Sequence, residues 1–285
     1  MSAVVQLFAN PLSGSHSPRR ITALVKAFAA LGAEVIEREA SAAHPPEIDP
    51  RATHVCVAGG DGTVRHVARA LRASGHAAPL AQYPLGTINL LAREAAYHPN
   101  PTRFAARFLG EGERRRHYTG ALEDEMFLVC ASAGPECAAI RGYSPQLKRR
   151  FGRLAYGVSM LRALRHWQRH ELTVTADGQA FACEAVYIAK GRFFAGPFSF
   201  APAARLTDGK LHVVALGTAR RRDYLRFLSD LLLRRDPGKR PGNHSFTCTE
   251  LTIDGPVHVE VQADGDIVAA LPLRASASAE PIEFA

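Results

Sequence analysis

Residues 57–64 read Val-Ala-Gly-Gly-Asp-Gly-Thr-Val, a glycine-rich turn between two apolar segments of different periodicity. The β-branched run before the turn predicts a buried strand, and the helical spacing of apolar residues over 64–71 predicts a helix after it. In a strand–turn–helix, backbone N–H groups and the positive end of the helix dipole point to one place, which suits a phosphate. Asp61 lies among these donors, where a carboxylate is expected to contact Mg²⁺ or a donor near the phosphates. The stretch therefore predicts a nucleotide site.

Two further loops follow predicted strands in the same half of the chain. Residues 10–14 (Asn-Pro-Leu-Ser-Gly) follow the first strand, and residues 84–89 (Pro-Leu-Gly-Thr-Ile-Asn) follow the fourth. Strands of repeated βα units are parallel, so we expect all three loops at the carboxyl edge of one sheet, where ligands bind. Thr87 can donate to a phosphate, whereas capping of the next helix would by itself explain Asn89. A simple turn explains each loop alone, but three at one edge favour a site.

The two halves of the chain show different patterns. Residues 1–116 alternate strand and helix patterns, which predicts an α/β domain with a parallel sheet. Residues 117–275 are mostly strand-like, beginning with a strand expected over 127–131 and with a hairpin signal at Asp177-Gly178, which predicts an antiparallel β-sandwich domain. A helical pattern over 154–167 interrupts these strands. Residues 276–285 could return to the first domain. The helical pattern over 223–233 is explained by packing on the sandwich or, less readily, by contact with a membrane.

Composition narrows the class of protein. The 285 residues carry a net charge of +8, and the five cysteines are scattered without a C-x-x-C pair, which argues against a disulfide framework or a zinc site. No uncharged apolar run approaches the ~18 residues of a spanning helix, and the N-terminus shows no basic leader, so a cytoplasmic protein is expected. Nucleic acid is not expected as a partner, because no zinc-finger or RNA-binding pattern accompanies the arginines. Arginine-rich runs can bind an anionic membrane surface or can simply be solvent-exposed faces of helices. These runs lie at residues 114–116, 148–150, 220–222 and 234–235.

Six motifs along the chain resemble the diacylglycerol kinase catalytic-domain family, which includes bacterial soluble lipid kinases and the sphingosine and ceramide kinases. GGDGT is followed by PLGTxN after an N-terminal NPxSG, and three later segments match the family's pattern: 191–203, 208–211 and 262–266. GGDGT itself is shared with NAD kinases and phosphofructokinases, so it is the later motifs that separate this chain from those two families. The resemblance implies a NAD kinase/diacylglycerol kinase-like α/β domain, a β-sandwich domain and an active site in the cleft between them. It also implies ATP with Mg²⁺ as donor, a lipid hydroxyl as acceptor and peripheral membrane contact.

The resemblance also assigns roles to residues. Asp264 and Asp266 would hold or deprotonate the acceptor hydroxyl, and Asp208, with carbonyls near Arg205 and Lys210, would hold a second, structural Mg²⁺. Positions 264 and 266 are expected on one face of a strand, although the pattern alone favours a hairpin turn at Asp264-Gly265. The residues expected to contact the nucleotide are Asn10, Pro11, Leu12, Ser13, Gly14, Gly59, Gly60, Asp61, Gly62, Thr63, Val64, Arg65, His66, Thr87 and Asn89.

Four positions depart from the family's pattern. Asp266 and His66 each stand where the family usually has glutamate, Lys190 replaces an asparagine, and Pro135 interrupts a glycine-rich segment. These departures keep two alternatives open. One is a kinase of a soluble acceptor such as NAD, and the other is a catalytically impaired regulator that binds nucleotide or lipid. The sequence also leaves open the acceptor lipid and whether the chain forms a homodimer.

Overall fold

The computed structural model of the protein describes residues 2–40, 45–110, 114–142, 159, 160, 162, 163 and 168–285. The chain forms two compact units: Met1–Tyr118 with Glu280–Ala285, and Thr119–Ala279. The helix expected within residues 154–167 lies almost wholly outside the described residues. Within the described part of the chain, no helix is long and apolar enough to cross a membrane.

The first unit is built on a parallel sheet with strand order β2-β1-β3-β4. The strands are β1 (Val4–Ala9), β2 (Glu34–Glu39), β3 (His54–Gly59) and β4 (Leu80–Pro84). The central strands are almost fully buried, as expected for a parallel sheet covered by helices. Phe284, close to the end of the chain, pairs in parallel with Leu80. The α/β domain with a parallel sheet is confirmed.

The described residues of this unit include four helices: α1 (Pro18–Ala29), α2 (Asp61–Ser74), α3 (Leu90–Glu94) and α4 (Pro101–Leu109). Both α1 and α4 begin with proline after a side-chain cap, in which Ser17 and Asn100 accept backbone N–H groups. Gly75, at φ +65°, ends α2. In the core of the unit, Phe28 of α1 packs edge-on against Phe104 of α4 and at a tilt against Phe108.

The second unit is a sandwich of antiparallel strands. One sheet has the order β12-β11-β10-β7-β14-β15, and the strands β16, β13, β8 and β9 pair in that order in the other. β5 pairs with β6 and with β16. The strands are β5 (Arg115–Leu122), β6 (Glu125–Phe127), β7 (Cys130–Ala133), β8 (Leu172–Ala176), β9 (Gln179–Cys183), β10 (Ala185–Ala189), β11 (Leu211–Leu216), β12 (Asn243–Cys248), β13 (Glu250–Asp254), β14 (Glu260–Ala263), β15 (Asp266–Ala270) and β16 (Leu273–Phe284).

The inward faces of both sheets share one apolar core. Ile188 and Val213 from one sheet lie in the same buried cluster as Val174 and Ile253 from the other. Among the described residues of this unit, two α-helices have defined bounds, α5 (Glu136–Arg141) and α6 (Arg221–Leu232). The aromatic face of α6 is buried, and Phe227 stacks on a tyrosine of β10. The antiparallel sandwich is confirmed, and α6 packs on it.

The strand bounds differ from the sequence prediction at several places. The single strand expected over 127–131 is divided into β6 and β7, with a break that leaves two backbone N–H groups outside the ladder. Sequence reasoning missed β5, β12, β15 and β16, and also α4 and α5. β16 begins in the second unit and ends in the first.

Candidate functional site

Three loops at the carboxyl edge of the first unit's sheet are tied together by hydrogen bonds. Asn10, directly after β1, donates through Nδ2 to Thr63 Oγ1 at 2.8 Å. Ser15, in the same loop, donates its backbone N–H to Leu85 O at 2.8 Å. The N–H of Leu85 in turn donates to Gly59 O at 3.3 Å. Each of the three loops therefore contacts the other two.

A close backbone approach joins the second and third loops. A Cβ on Gly86 would lie 2.5 Å from Gly60 Cα and 2.6 Å from Asn89 Oδ1. A Cβ on Gly59 would lie 2.9 Å from Thr63 Cβ. Only glycine allows the two backbones to come this close. Gly60 and Gly86 are therefore required by the contact between the loops, whereas Gly59 is required by the position of Thr63 in its own loop.

The carboxylate of Asp61 anchors the start of α3. Its two oxygens accept the backbone N–H of Leu90 at 2.8 Å and of Leu91 at 3.0 Å. Asp61 itself is 8% exposed. These contacts satisfy helix N-terminal donors that have no partner within the helix. The sequence suggested that Asp61 contacts either Mg²⁺ or a hydrogen-bond donor near the phosphates. In the structure it contacts hydrogen-bond donors, which are backbone N–H groups of the protein itself.

Asn89 does not cap α3 through its side chain, so the capping explanation is wrong. Its backbone is left-handed at φ +55°, and its side chain folds back onto Gly86. There its Oδ1 accepts the Gly86 N–H, and its Nδ2 donates to Gly86 O, both at 2.8 Å. The buried Gln82 completes this support, because its Nε2 donates to Gly59 O at 3.2 Å and its Oε1 accepts the N–H of Ala92 at 2.7 Å. Sequence reasoning missed Gln82, although a glutamine inside the apolar strand β4 was a signal.

The remaining loop residues differ in exposure. Thr87 and His66 are exposed, whereas Val64 is fully buried and Arg65 is 5% exposed. The expected nucleotide contact from the side chain of Val64 is therefore not supported, because this side chain packs into the core. Within the described part of the chain, no side chain caps α2, whose N-cap residue is Gly60. An uncapped N-terminus leaves the helix dipole directed at the space above the loop.

A cavity of about 400 Å³ lies beside the first loop. It is bounded by the end of β1, the start of α1 and the end of β2, and its lining includes Pro11, His16, Ile21, Glu37 and Glu39. Its lining combines apolar side chains such as Ile21 with charged ones such as Glu37 and Glu39, a mixture that can hold a small molecule.

In the second unit, Asp264 lies in a hairpin turn between β14 and β15. Asp264 and Gly265 have φ values of +50° and +94°, which Asp-Gly pairs adopt in tight hairpins. The expectation that positions 264 and 266 share one face of a strand is therefore wrong, because the turn separates them. Asp264 is 8% exposed, whereas Asp266 is exposed at the start of β15.

The carboxylate of Asp264 accepts three backbone N–H groups. They belong to Leu128 at 2.7 Å, Val129 at 2.8 Å and Cys130 at 3.2 Å. These donors lie at the break between β6 and β7, so the side chain completes the hydrogen bonding of that segment. Hydrogen bonds of this kind stabilise the ionised carboxylate. Asp264 is therefore a structural anchor, and Asp266 is the carboxylate of this pair that solvent can reach.

A buried polar network supports the same turn. Gln262 Oε1 accepts the N–H of Gly265 at 3.0 Å, and its Nε2 donates to Ser132 Oγ at 2.6 Å. Ser132 Oγ donates to Glu136 Oε1 at 2.5 Å, and the Tyr187 hydroxyl donates to Glu136 Oε2 at 2.7 Å. Burial raises the pKa of Glu136, and the two hydrogen bonds oppose that shift. The network fixes the hairpin that presents Asp266.

The side chain of Lys190 reaches the loop that the resemblance predicted to hold a structural Mg²⁺. Lys190 is 0% exposed, and its Nζ donates to Asp208 O at 2.6 Å and to Lys210 O at 2.8 Å. The same Nζ lies 3.5 Å from Asp208 Oδ1. Burial lowers the pKa of Lys190, and the Asp208 carboxylate opposes that shift. The carbonyl of Arg205 accepts the Asp208 N–H at 3.2 Å.

Comparison with models of known protein families shows which family the chain belongs to. Residues 4–121 match the model of the diacylglycerol kinase catalytic domain. Residues 130–284, more than half of the chain, match the YegS C-terminal NAD kinase beta sandwich-like domain. The chain belongs to the diacylglycerol kinase family. The resemblance inferred from the motifs is confirmed, and at the level of the family so is the prediction of a lipid kinase, a phosphotransferase.

Several members of the diacylglycerol kinase family are similar to this chain. A Staphylococcus aureus protein named diacylglycerol kinase is 26% identical over 294 residues, covering 91% of this chain and 92% of that protein. A Pseudomonas aeruginosa protein named "Probable lipid kinase YegS-like" is 34% identical over 164 residues, covering 56% of this chain and 53%, about half, of that protein. A solved diacylglycerol kinase structure from Bacillus anthracis aligns with a TM-score of 0.72 at 19% identity, covering 96% of this chain and 93% of that one. This last likeness shows the fold.

Proposed function

We propose that the protein transfers the γ-phosphoryl group of ATP to a hydroxyl group of a lipid. The observation that carries this proposal is the joining of three strand-end loops by direct hydrogen bonds and by the Gly60–Gly86 approach. Backbone N–H groups in such loops, at an uncapped helix N-terminus, suit the oxygens of a triphosphate. Family membership supports the same donor and the same class of acceptor.

The nucleoside is assigned to the cavity beside the first loop. That cavity adjoins the Asn10–Ser15 turn, so a nucleoside in it has its phosphates directed along the loops. Within the described residues, no cluster of three or more His, Cys, Asp or Glu side chains could hold a metal ion. In this proposal Mg²⁺ enters as part of the MgATP substrate, where it would neutralise part of the phosphate charge.

Asp266 is the proposed general base. As the lipid oxygen bonds to the γ-phosphorus and the bond to the ADP oxygen breaks, the hydroxyl proton passes to the Asp266 carboxylate. The exposure of this carboxylate supports the assignment, and Asp264 holds the hairpin on which it stands. Its side chain is one methylene shorter than the glutamate typical of the family.

Peripheral membrane contact is assigned to the outer face of α6 and the turn after it. Leu225, Leu232 and Leu233 are 53%, 64% and 59% exposed, while Tyr224 and Phe227 hold the opposite face of the helix in the core. Exposed arginines flank these leucines at residues 221, 222, 226, 234 and 235. An apolar stripe bordered by arginines suits the headgroup region of an anionic membrane.

The test is phosphoryl transfer from labelled ATP to a panel of acceptors. Diacylglycerol, monoacylglycerol and a sphingoid base are presented in anionic vesicles, and NAD is presented in solution. The proposal expects labelled phospholipid with at least one lipid and none with NAD. Transfer to NAD would favour the soluble-acceptor alternative. Tight ATP binding without transfer to any member of the panel would favour the regulator, for which His66, Lys190 and Asp266 are the motivating departures.

A further inference from the structure

The Asp208 loop surrounds a positive charge that belongs to the polypeptide. Lys190 directly follows β10, whose five residues are all buried, and its side chain is 0% exposed. Burying an ammonium group is costly unless its hydrogen atoms are accepted and its charge is balanced. Two carbonyl oxygens at 2.6 and 2.8 Å and the Asp208 carboxylate at 3.5 Å meet both needs.

The oxygens around this ammonium are of the kind that divalent cations use. Mg²⁺ and Ca²⁺ take carboxylate and main-chain carbonyl oxygens as ligands in proteins. Here the carbonyls of Asp208 and Lys210 are occupied by Lys190 Nζ, and the Arg205 carbonyl accepts an N–H group. The second Asp208 oxygen lies 3.0 Å from His212 Nε2. A divalent ion would compete for the same lone pairs and would be repelled by the ammonium.

The donor set therefore does not fit the structural Mg²⁺ that the family resemblance implied. We propose that Lys190 is the resident cation of the Asp208 loop and takes the place of a divalent metal. The loop then keeps its conformation without metal. Replacing Lys190 by asparagine, the residue at this place in the family's pattern, reopens the oxygens to a divalent cation.

Because of where Lys190 lies in the chain, its replacement of a metal ion also affects the hairpin that contains Asp264. The backbone N–H groups of Lys190 and Gly191 donate to Val129 O at 2.8 and 2.9 Å. The N–H of Val129 donates to Asp264 Oδ1 at 2.8 Å. The Asp208 loop and the hairpin are thus anchored to one short segment. Because the Lys190 ammonium is part of the chain, it holds that segment in place whatever the free Mg²⁺ concentration.

The experiment is thermal unfolding of nucleotide-free protein in EDTA and in Mg²⁺, a readout that needs no kinase activity. The wild type is expected to have the same Tm in both. Lys190→Asn is expected to lose roughly 5–10 °C in EDTA and to regain most of it in Mg²⁺. Lys239→Asn, which removes an exposed lysine of the same unit, is the charge-matched control and should show neither effect.

Three results overturn the proposal: a wild-type Tm that rises with Mg²⁺, a Lys190→Asn Tm equal to that of the wild type in EDTA, or a destabilised Lys190→Asn that does not respond to Mg²⁺. Should Lys190→Asn fail to fold, the deciding measurement is Mn²⁺ binding to the wild type, monitored by electron paramagnetic resonance. Absence of a stoichiometric site supports the resident ammonium. A stoichiometric site that disappears in Asp208→Asn refutes it.

Discussion

The substitution Asp61→Asn tests whether Asp61 positions the start of α3 or binds a metal ion. The carboxylate gives one oxygen to Leu90 N at 2.8 Å and the other to Leu91 N at 3.0 Å. Asparagine keeps the shape but offers one oxygen and one amino group. One backbone N–H then faces another donor in a buried place, and the charge that favoured both hydrogen bonds is lost.

The expected loss follows from these contacts. A hydrogen bond to a charged group contributes about 1.5–3 kcal/mol, and a buried donor without a partner costs about 1–3 kcal/mol. We therefore expect the free energy of unfolding to fall by roughly 2 kcal/mol, which lowers the Tm by about 6–10 °C in a unit of this size. If the start of α3 must be in place for the nucleotide to bind, affinity falls by up to about 30-fold.

The assay is thermal unfolding of the ligand-free protein together with calorimetric titration of ATP in EDTA and in Mg²⁺. A positioning role predicts the Tm loss without ligand and equal factors of lost affinity for ATP and MgATP. Glu34→Gln is the matched control, because it removes an exposed carboxylate that pairs only at the surface with Arg51 and should change neither quantity measurably. An unchanged Tm with a loss confined to MgATP would refute the positioning role and restore Asp61 as a metal ligand.

Three further predictions follow from the second unit. Asp266→Asn should lower kcat for lipid phosphorylation by about 100-fold or more, with ATP affinity unchanged and partial recovery in Asp266→Glu, so undiminished turnover would exclude this base. The double change Leu225→Asp and Leu232→Asp should weaken co-sedimentation with anionic vesicles by about tenfold or more without lowering the Tm, and unaltered sedimentation would remove α6 from the membrane face. Burial raises the pKa of Glu136 above its usual 4.5, so the group contributes stability that is fully present below pH 4.5 and that the folded protein loses as pH rises through the raised pKa. Glu136→Gln should abolish that loss in denaturant unfolding across pH, whereas a wild-type-to-variant difference that stays constant with pH contradicts it.

The first unit could be predicted because its chemistry is local. Apolar runs of strand length alternate with apolar residues at helical spacing, and glycine or proline marks most boundaries. The convergence of the loops follows from parallel strand order, since β1, β3 and β4 are neighbours. What the sequence could not show is which side chains join the loops. The contact of Asp61 with Leu90 and Leu91 spans about 30 residues, and nothing local indicates it.

The second unit was harder because its strands depend on distant partners. β16 was missed because its first half is a run of small residues, and β12 because it is largely polar. Asp264 was correctly suspected as a turn from Asp-Gly chemistry, but its three N–H partners lie more than 130 residues away. Lys190 was noticed only as a departure from a pattern. A lysine directly after five buried apolar residues was itself a signal of a buried charge with a partner.

Backbone amide NMR of isotope-labelled protein titrated with MgATP tests the three-loop site most directly. The joined loops predict that the amide signals of Ser13, Gly60 and Gly86 shift together with one binding constant. The amides of β9, which belongs to the second unit, serve as the internal reference. MgATP that binds while leaving these loop signals unchanged, or that shifts those of one loop alone, would contradict the site.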